Sequence, residues 1–76
     1  MQSELVQKIT REVARSHPQM YGVRPTVKLQ SDRGEAEEYL LTYRTTTALP
    51  GGRSMNIIVR VVADDRGRIL KMTTSR

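Results

Sequence analysis

Apolar residues recur at helical spacing at the start of the chain. Leu5, Val6, Ile9 and Val13 return every three or four positions, with Gln7, Lys8, Arg11, Glu12 and Arg15 between them. The spacing predicts an amphipathic helix over residues 3 to 16. Ser3 is the expected N-cap, because its hydroxyl can accept a bond from the unpaired amides of the first turn, and Glu4 follows where the helix dipole favours an acid. Pro18 disfavours helical geometry at His17 and ends the segment. His17 to Pro25 is then a connection, with Met20, Tyr21 and Val23 expected to fold over the end of the helix.

Beyond Pro25 the period shortens to two. Thr26 to Gln30 alternates polar and apolar, which predicts a half-buried strand with Val27 and Leu29 inward. Residues 31 to 37 read as a polar turn. Glu38 to Thr47 reads as a second strand, with Tyr39, Leu41 and Tyr43 on one side and Leu40, Thr42 and Arg44 on the other. Leu49 to Ser54 breaks it. A third strand, Met55 to Ala63, and a fourth, Arg68 to about Thr74, flank a turn at Asp64 to Gly67, where Gly67 can take the left-handed position. These elements predict a single α+β domain over residues 1 to 76. Its N-terminal helix packs on one face of a three- or four-stranded antiparallel sheet, in α-β-β-β-β order.

A four-residue loop at Asp64 to Gly67 would set Val62 opposite Ile69, Val61 opposite Leu70, Arg60 opposite Lys71, Val59 opposite Met72 and Ile58 opposite Thr73. One face then carries Ile57, Val59, Val61, Leu70 and Met72 and matches the apolar stripe of the helix. The other carries Ile58, Arg60, Val62, Ile69, Lys71 and Thr73. One helix covers one side of a sheet, so this second face is expected to be open.

Composition narrows what the open face can do. A chain of 76 residues buries only about 60% of the surface its unfolded form exposes, and without cysteine neither a disulfide nor a thiolate metal site adds to the core. Absence of cysteine fits a cytoplasmic protein. Apolar runs such as Ile57-Ile58-Val59 are far short of the ~20 residues that span a bilayer, and the charged N-terminal segment lacks the apolar stretch of a signal peptide, so the mature chain is expected to start near Met1. The formal net charge is +5, and ten of the thirteen cations are arginine, whose planar fork suits phosphate and carboxylate. The excess lies mainly in residues 39 to 76, where Arg44, Arg53, Arg60, Arg66, Arg68, Lys71 and Arg76 face only Asp64 and Asp65.

Two uses of the open face follow. The strip Ile58, Val62 and Ile69 suits self-association as a homodimer or a protein partner. The cations Lys28, Arg44, Arg60 and Lys71, interleaved with Thr42 and Thr73, suit the phosphates of a nucleic acid, with Arg53 a further exposed contact at the tip of the Leu49 to Ser54 connection. Base stacking has little support, because the chain has no Phe or Trp and Tyr39 and Tyr43 fall on the core side, leaving Tyr21. The favoured expectation is a non-enzymatic interaction module for self-association or protein-partner binding, with nucleic-acid binding through Arg44, Arg60 and Lys71 as the alternative.

Other signals are weaker. His17 is the only histidine and has neither cysteines nor a clustered acid pair beside it, so no metal site, cofactor or catalytic residue is expected. The glycines at 51 and 52 join two antiparallel strands and lack the following helix and Lys-Ser/Thr of a phosphate-binding loop. Asp64 and Asp65 read as turn formers. In outline, a leading helix ending at His17, an antiparallel sheet, and Thr73, Ser75 and Arg76 in the last strand resemble the small ribonuclease toxins of the barnase and bacterial-toxin-endonuclease type. The resemblance implies RNA cleavage dependent on His17.

Overall fold

The computed structural model describes residues 2–31 and 37–75. Its elements are a helix α1 (Ser3–Ser16), a short 3-10 turn (Pro18–Met20), the strands β1 (Thr26–Ser31) and β2 (Glu38–Leu49), a second 3-10 turn (Pro50–Gly52), and the strands β3 (Arg53–Asp64) and β4 (Ile69–Ser75). The strands form one antiparallel sheet in the order β1-β2-β3-β4, each paired with its neighbour in sequence. The fold is α+β, with α1 on one face. Residues 32 to 36 of the expected polar turn, together with Met1 and Arg76, lie outside the described residues.

The helix has the expected bounds but not the expected cap. Gln2 is extended and its carbonyl accepts the amides of Leu5 and Val6, both at 3.1 Å, so Ser3 is already the first helical residue and its hydroxyl caps nothing. Ile9 and Val13 are fully buried against Leu41 and Tyr43 of β2 and Val59, Val61 and Ala63 of β3, with Met20 closing the end. Fully burying one such aliphatic side chain is worth about 1.5 to 3 kcal/mol, and this small set carries the fold.

One polar bond crosses the core. Thr10 Oγ1 donates its single proton to the Val6 carbonyl at 2.8 Å, so the Tyr43 hydroxyl, 2.8 Å away, donates to Thr10. Burial pushes the Tyr43 phenol above its ordinary pKa, against the lowering effect of the Thr10 bond.

Three expected core positions are displaced outward. Tyr21 is 84% exposed, because Met20 to Val23 form a type II turn: the Val23 amide bonds the Met20 carbonyl at 3.0 Å, and Gly22 takes a φ of 80°. Tyr21 sits at the outer corner of that turn instead of over the helix. Val27 and Leu29 pair with Leu41 and Tyr39 and so face the helix side, yet they are 38% and 51% exposed. A helix about 10 Å across cannot shield four strands set ~4.8 Å apart, and the edge strand is the one left open.

The β3–β4 hairpin closes on a shorter loop than expected. Asp64 and Arg68 bond across it, leaving Asp65, Arg66 and Gly67 as the loop, with Gly67 at a φ of 85°. Ile69 therefore pairs with Ala63 and packs against the core, and Leu70 is an extra residue, 54% exposed, at a bulge. Past the bulge Lys71 stands opposite Val62, Met72 opposite Val61, Thr73 opposite Arg60 and Thr74 opposite Val59. The expected pairs are thus shifted by two positions. Two shifts of one residue restore the original faces from Lys71 onward but exchange Ile69 and Leu70.

Asp64 holds the loop. Its carboxylate accepts the amides of Arg66 and Arg68 at 3.0 and 2.8 Å and the Arg68 Nε at 2.8 Å. The Arg68 amide, with the other bonds adding to it, keeps this carboxyl below the ordinary aspartate range. Asp64 is a turn former, as its position in the sequence implies.

Candidate functional site

The face of the sheet away from α1 has no described element packed on it, and strand register fixes its layout. Lys28, Leu40, Val62 and Lys71 form one row across the four strands, and Thr26, Thr42, Arg60 and Thr73 form the next. Arg44, Ile58 and Ser75 form a third row, followed on β2 and β3 alone by Thr46 with Asn56 and Ala48 with Ser54. Alternation along β2 and β3 puts every even-numbered side chain here while Tyr39, Leu41, Tyr43, Val59 and Val61 turn to the helix.

Four of the five expected nucleic-acid contacts share this face. Lys28, Arg44, Arg60 and Lys71 are all exposed. Arg60 and Lys71 are diagonal neighbours instead of a facing pair, since Thr73 stands opposite Arg60. Arg53 departs from the group. It pairs with Leu49 at the hairpin tip and belongs by alternation to the helix side, though it too is exposed. None of these five cations forms an ion pair with a described residue; the pairs present are Arg15 with Glu12 and Arg68 with Asp64.

Carboxylates are displaced from the centre of the face. From Tyr39 to Ala63 the sequence contains no Asp or Glu, so the polar groups that the two central strands present between those residues are cations, hydroxyls and amides. Acidic groups enter at the end of the sheet, where Glu38 pairs with Asp64, and the Asp64 charge is turned into its own loop. Glu37 accepts a bond from the Tyr39 hydroxyl, which pushes the phenol of Tyr39 up.

The expected apolar strip is narrower than its three residues. Ile58 and Val62 lie on the open face, joined by Leu40, and all three are half-buried between longer polar neighbours. Ile69 leaves the strip for the core side because of the loop length and the Leu70 bulge. The contribution of Thr26, Thr46, Ser54, Asn56 and Ser75 extends the face beyond the sequence-based list; continuing the even-numbered alternation along β2 and β3 would have found three of them.

His17 lies elsewhere. Its Nε2 is 2.8 Å from Thr74 Oγ1 on the helix side of β4, and its Nδ1 is buried without a partner among the described residues. Thr73 and Ser75, which the ribonuclease resemblance would group with it, pair with Arg60 and Ile58 on the opposite face. No cluster of three or more His, Cys, Asp or Glu side chains able to hold a metal occurs among the described residues, and no described helix is long and apolar enough to cross a membrane.

Hollows lie on both sides of the sheet. One of ≈ 260 Å³ sits where β2 and β3 outrun their neighbours and is lined by Arg44, Thr45, Thr46, Asn56, Ile57 and Ile58. Another, of ≈ 350 Å³, separates α1 from the segment entering β1, between Val6, Thr10 and Arg11 on one wall and Val23, Arg24 and Pro25 on the other. Neither brings together a nucleophile and a base.

No protein-family model matches the chain, and no curated protein or solved structure matches it either.

Proposed function

We propose that the protein is a non-enzymatic binding module of the cytoplasm that holds a nucleic acid by its phosphates on the open sheet face. The observation that carries this reading is that Lys28, Arg44, Arg60 and Lys71 share one uncovered face whose two central strands contain no carboxylate from Tyr39 to Ala63. Interspersed Thr26, Thr42, Thr46, Asn56 and Thr73 supply neutral donors of the kind that hold phosphate oxygens and fix orientation. Half-buried Leu40, Ile58 and Val62 give the arginine and lysine stems an apolar bed, which keeps their charged ends at the surface. The expected use of this face for self-association loses Ile69 and retains only side chains that are already half covered.

Fluorescence anisotropy of a short labelled oligonucleotide tests the reading. Four phosphate contacts correspond to a slope of log K against log salt near −3.6, or roughly a 100-fold loss of affinity between ~50 and ~200 mM salt. Arg60→Ala is expected to lower the slope by about one. Absence of binding at ~50 mM salt, or binding indifferent to salt, would overturn the reading. Light scattering at twice the monomer mass, abolished by Val62→Lys, would instead assign the face to a second copy of the chain.

A further inference from the structure

Resting on that reading, we propose that the nucleic acid is duplex DNA and that the free end of the β2–β3 hairpin enters its major groove. β1 accompanies β2 only as far as Thr42, and the described part of β4 accompanies β3 only as far as Ile58. Beyond these points the rungs from Thr45 with Ile57 to Leu49 with Arg53 belong to a two-stranded ribbon. Five rungs extend it by roughly 17 Å. The molecule accordingly measures 50 Å along its longest axis against 20 and 16 Å across.

The end of the ribbon is uncovered and carries one cation, Arg53. Every residue from Ala48 to Ser54 is exposed, and Thr46 and Asn56 before and after this stretch are exposed as well. Thr46 Oγ1 donates to Asn56 Oδ1 at 3.1 Å, which orients the Asn56 amide and leaves its NH₂ donors free for a base edge. Arg53 is the ribbon's own cation and Arg44 stands on the row at its base, with no acid between them in the sequence. They lie on opposite faces of the β2–β3 hairpin. A strand docked on a flat face would leave Arg53 unused, whereas a groove has phosphate walls on both sides.

Shape and stacking point the same way. Two strands ~4.8 Å apart with their side chains fit a groove about 12 Å wide, which is the major groove of B-form DNA; the major groove of A-form RNA is too narrow to admit side chains. Single-strand binding draws on aromatic platforms, and the open face has none, since Tyr39 and Tyr43 both turn to the helix side.

Anisotropy with a labelled DNA duplex, its separate strands and an RNA duplex of equal length tests the inference, using the wild type, Arg53→Ala, Asn56→Ala and, away from the ribbon, Lys71→Ala. Circular dichroism confirms that each variant is folded. The wild type is expected to bind the DNA duplex at least tenfold more tightly than either alternative. Arg53→Ala should weaken duplex binding several-fold and lower the salt slope by about one while leaving single-strand binding unchanged. Methylation of guanine N7, which lies in the major groove, should interfere with binding. If Arg53→Ala and Asn56→Ala bind the duplex as the wild type does, or N7 methylation has no effect, the groove assignment is overturned; a loss with Lys71→Ala in that same experiment leaves phosphate binding by the sheet standing. No salt-dependent binding of any oligonucleotide by the wild type would overturn both.

Discussion

Lys28 and Lys71 stand at the two ends of one row across the sheet, with Leu40 and Val62 between them. Three strand spacings separate their backbones by about 14 Å. At that distance the two cations meet different phosphates and act independently. Lys28→Ala and Lys71→Ala are each expected to reduce the salt slope of nucleic-acid binding by about 0.9, and the double variant by about 1.8. Anisotropy titrations over a series of salt concentrations measure this. A double variant with the wild-type slope would remove the row from the contact.

Stability measurements separate Ile69 from Leu70. Ile69 is half-buried against the core and Leu70 is the exposed bulge residue. In urea denaturation Ile69→Ala should cost about 1 to 2 kcal/mol and Leu70→Ala less than about 0.5 kcal/mol. Equal losses would contradict the register described for β4.

Acid should weaken the β3–β4 loop through Asp64. Its pKa is depressed in the folded chain, chiefly by the Arg68 amide, so the unfolded chain binds the proton more readily. The stabilisation is therefore complete above the unfolded aspartate value, about 3.9, and is lost as pH falls through the lower folded value. Thermal melts of wild type and Asp64→Asn should differ most near neutral pH and converge toward acid. A difference that stays constant from neutral pH to strong acid would show that the carboxylate charge has no part in holding the loop.

The sequence predicts the helix bounds, the strand order and the sidedness of β2 and β3 because each rests on a local period: 3.6 in residues 3 to 16 and two from Glu38 onward. Register across the last turn is less legible. Ile69 and Leu70 are both apolar, so nothing in their chemistry tells which one pairs with Ala63, and a loop closed by Asp64 and Arg68 looks the same in sequence as one closed a residue earlier. Strand ends escaped as well, since Ala48, Leu49, Arg53 and Ser54 carry no strong β preference and are extended by their pairing across the hairpin. The four cations of the open face are legible through alternation, and Arg53 is legible as an exposed contact from its place in the glycine-rich hairpin tip. Exposure of Val27 and Leu29 depends on the width of one helix against four strands, which no local pattern encodes.

Methyl-labelled NMR during titration with a short DNA duplex tests the central claim most directly, because neighbouring residues report opposite faces. At low salt the methyls of Leu40, Ile58 and Val62 should shift progressively with added duplex, while those of Leu41, Val59 and Val61, beneath the helix, stay in place. Shifts confined to the second group, or none in either, would contradict the assignment of the open face to a nucleic acid.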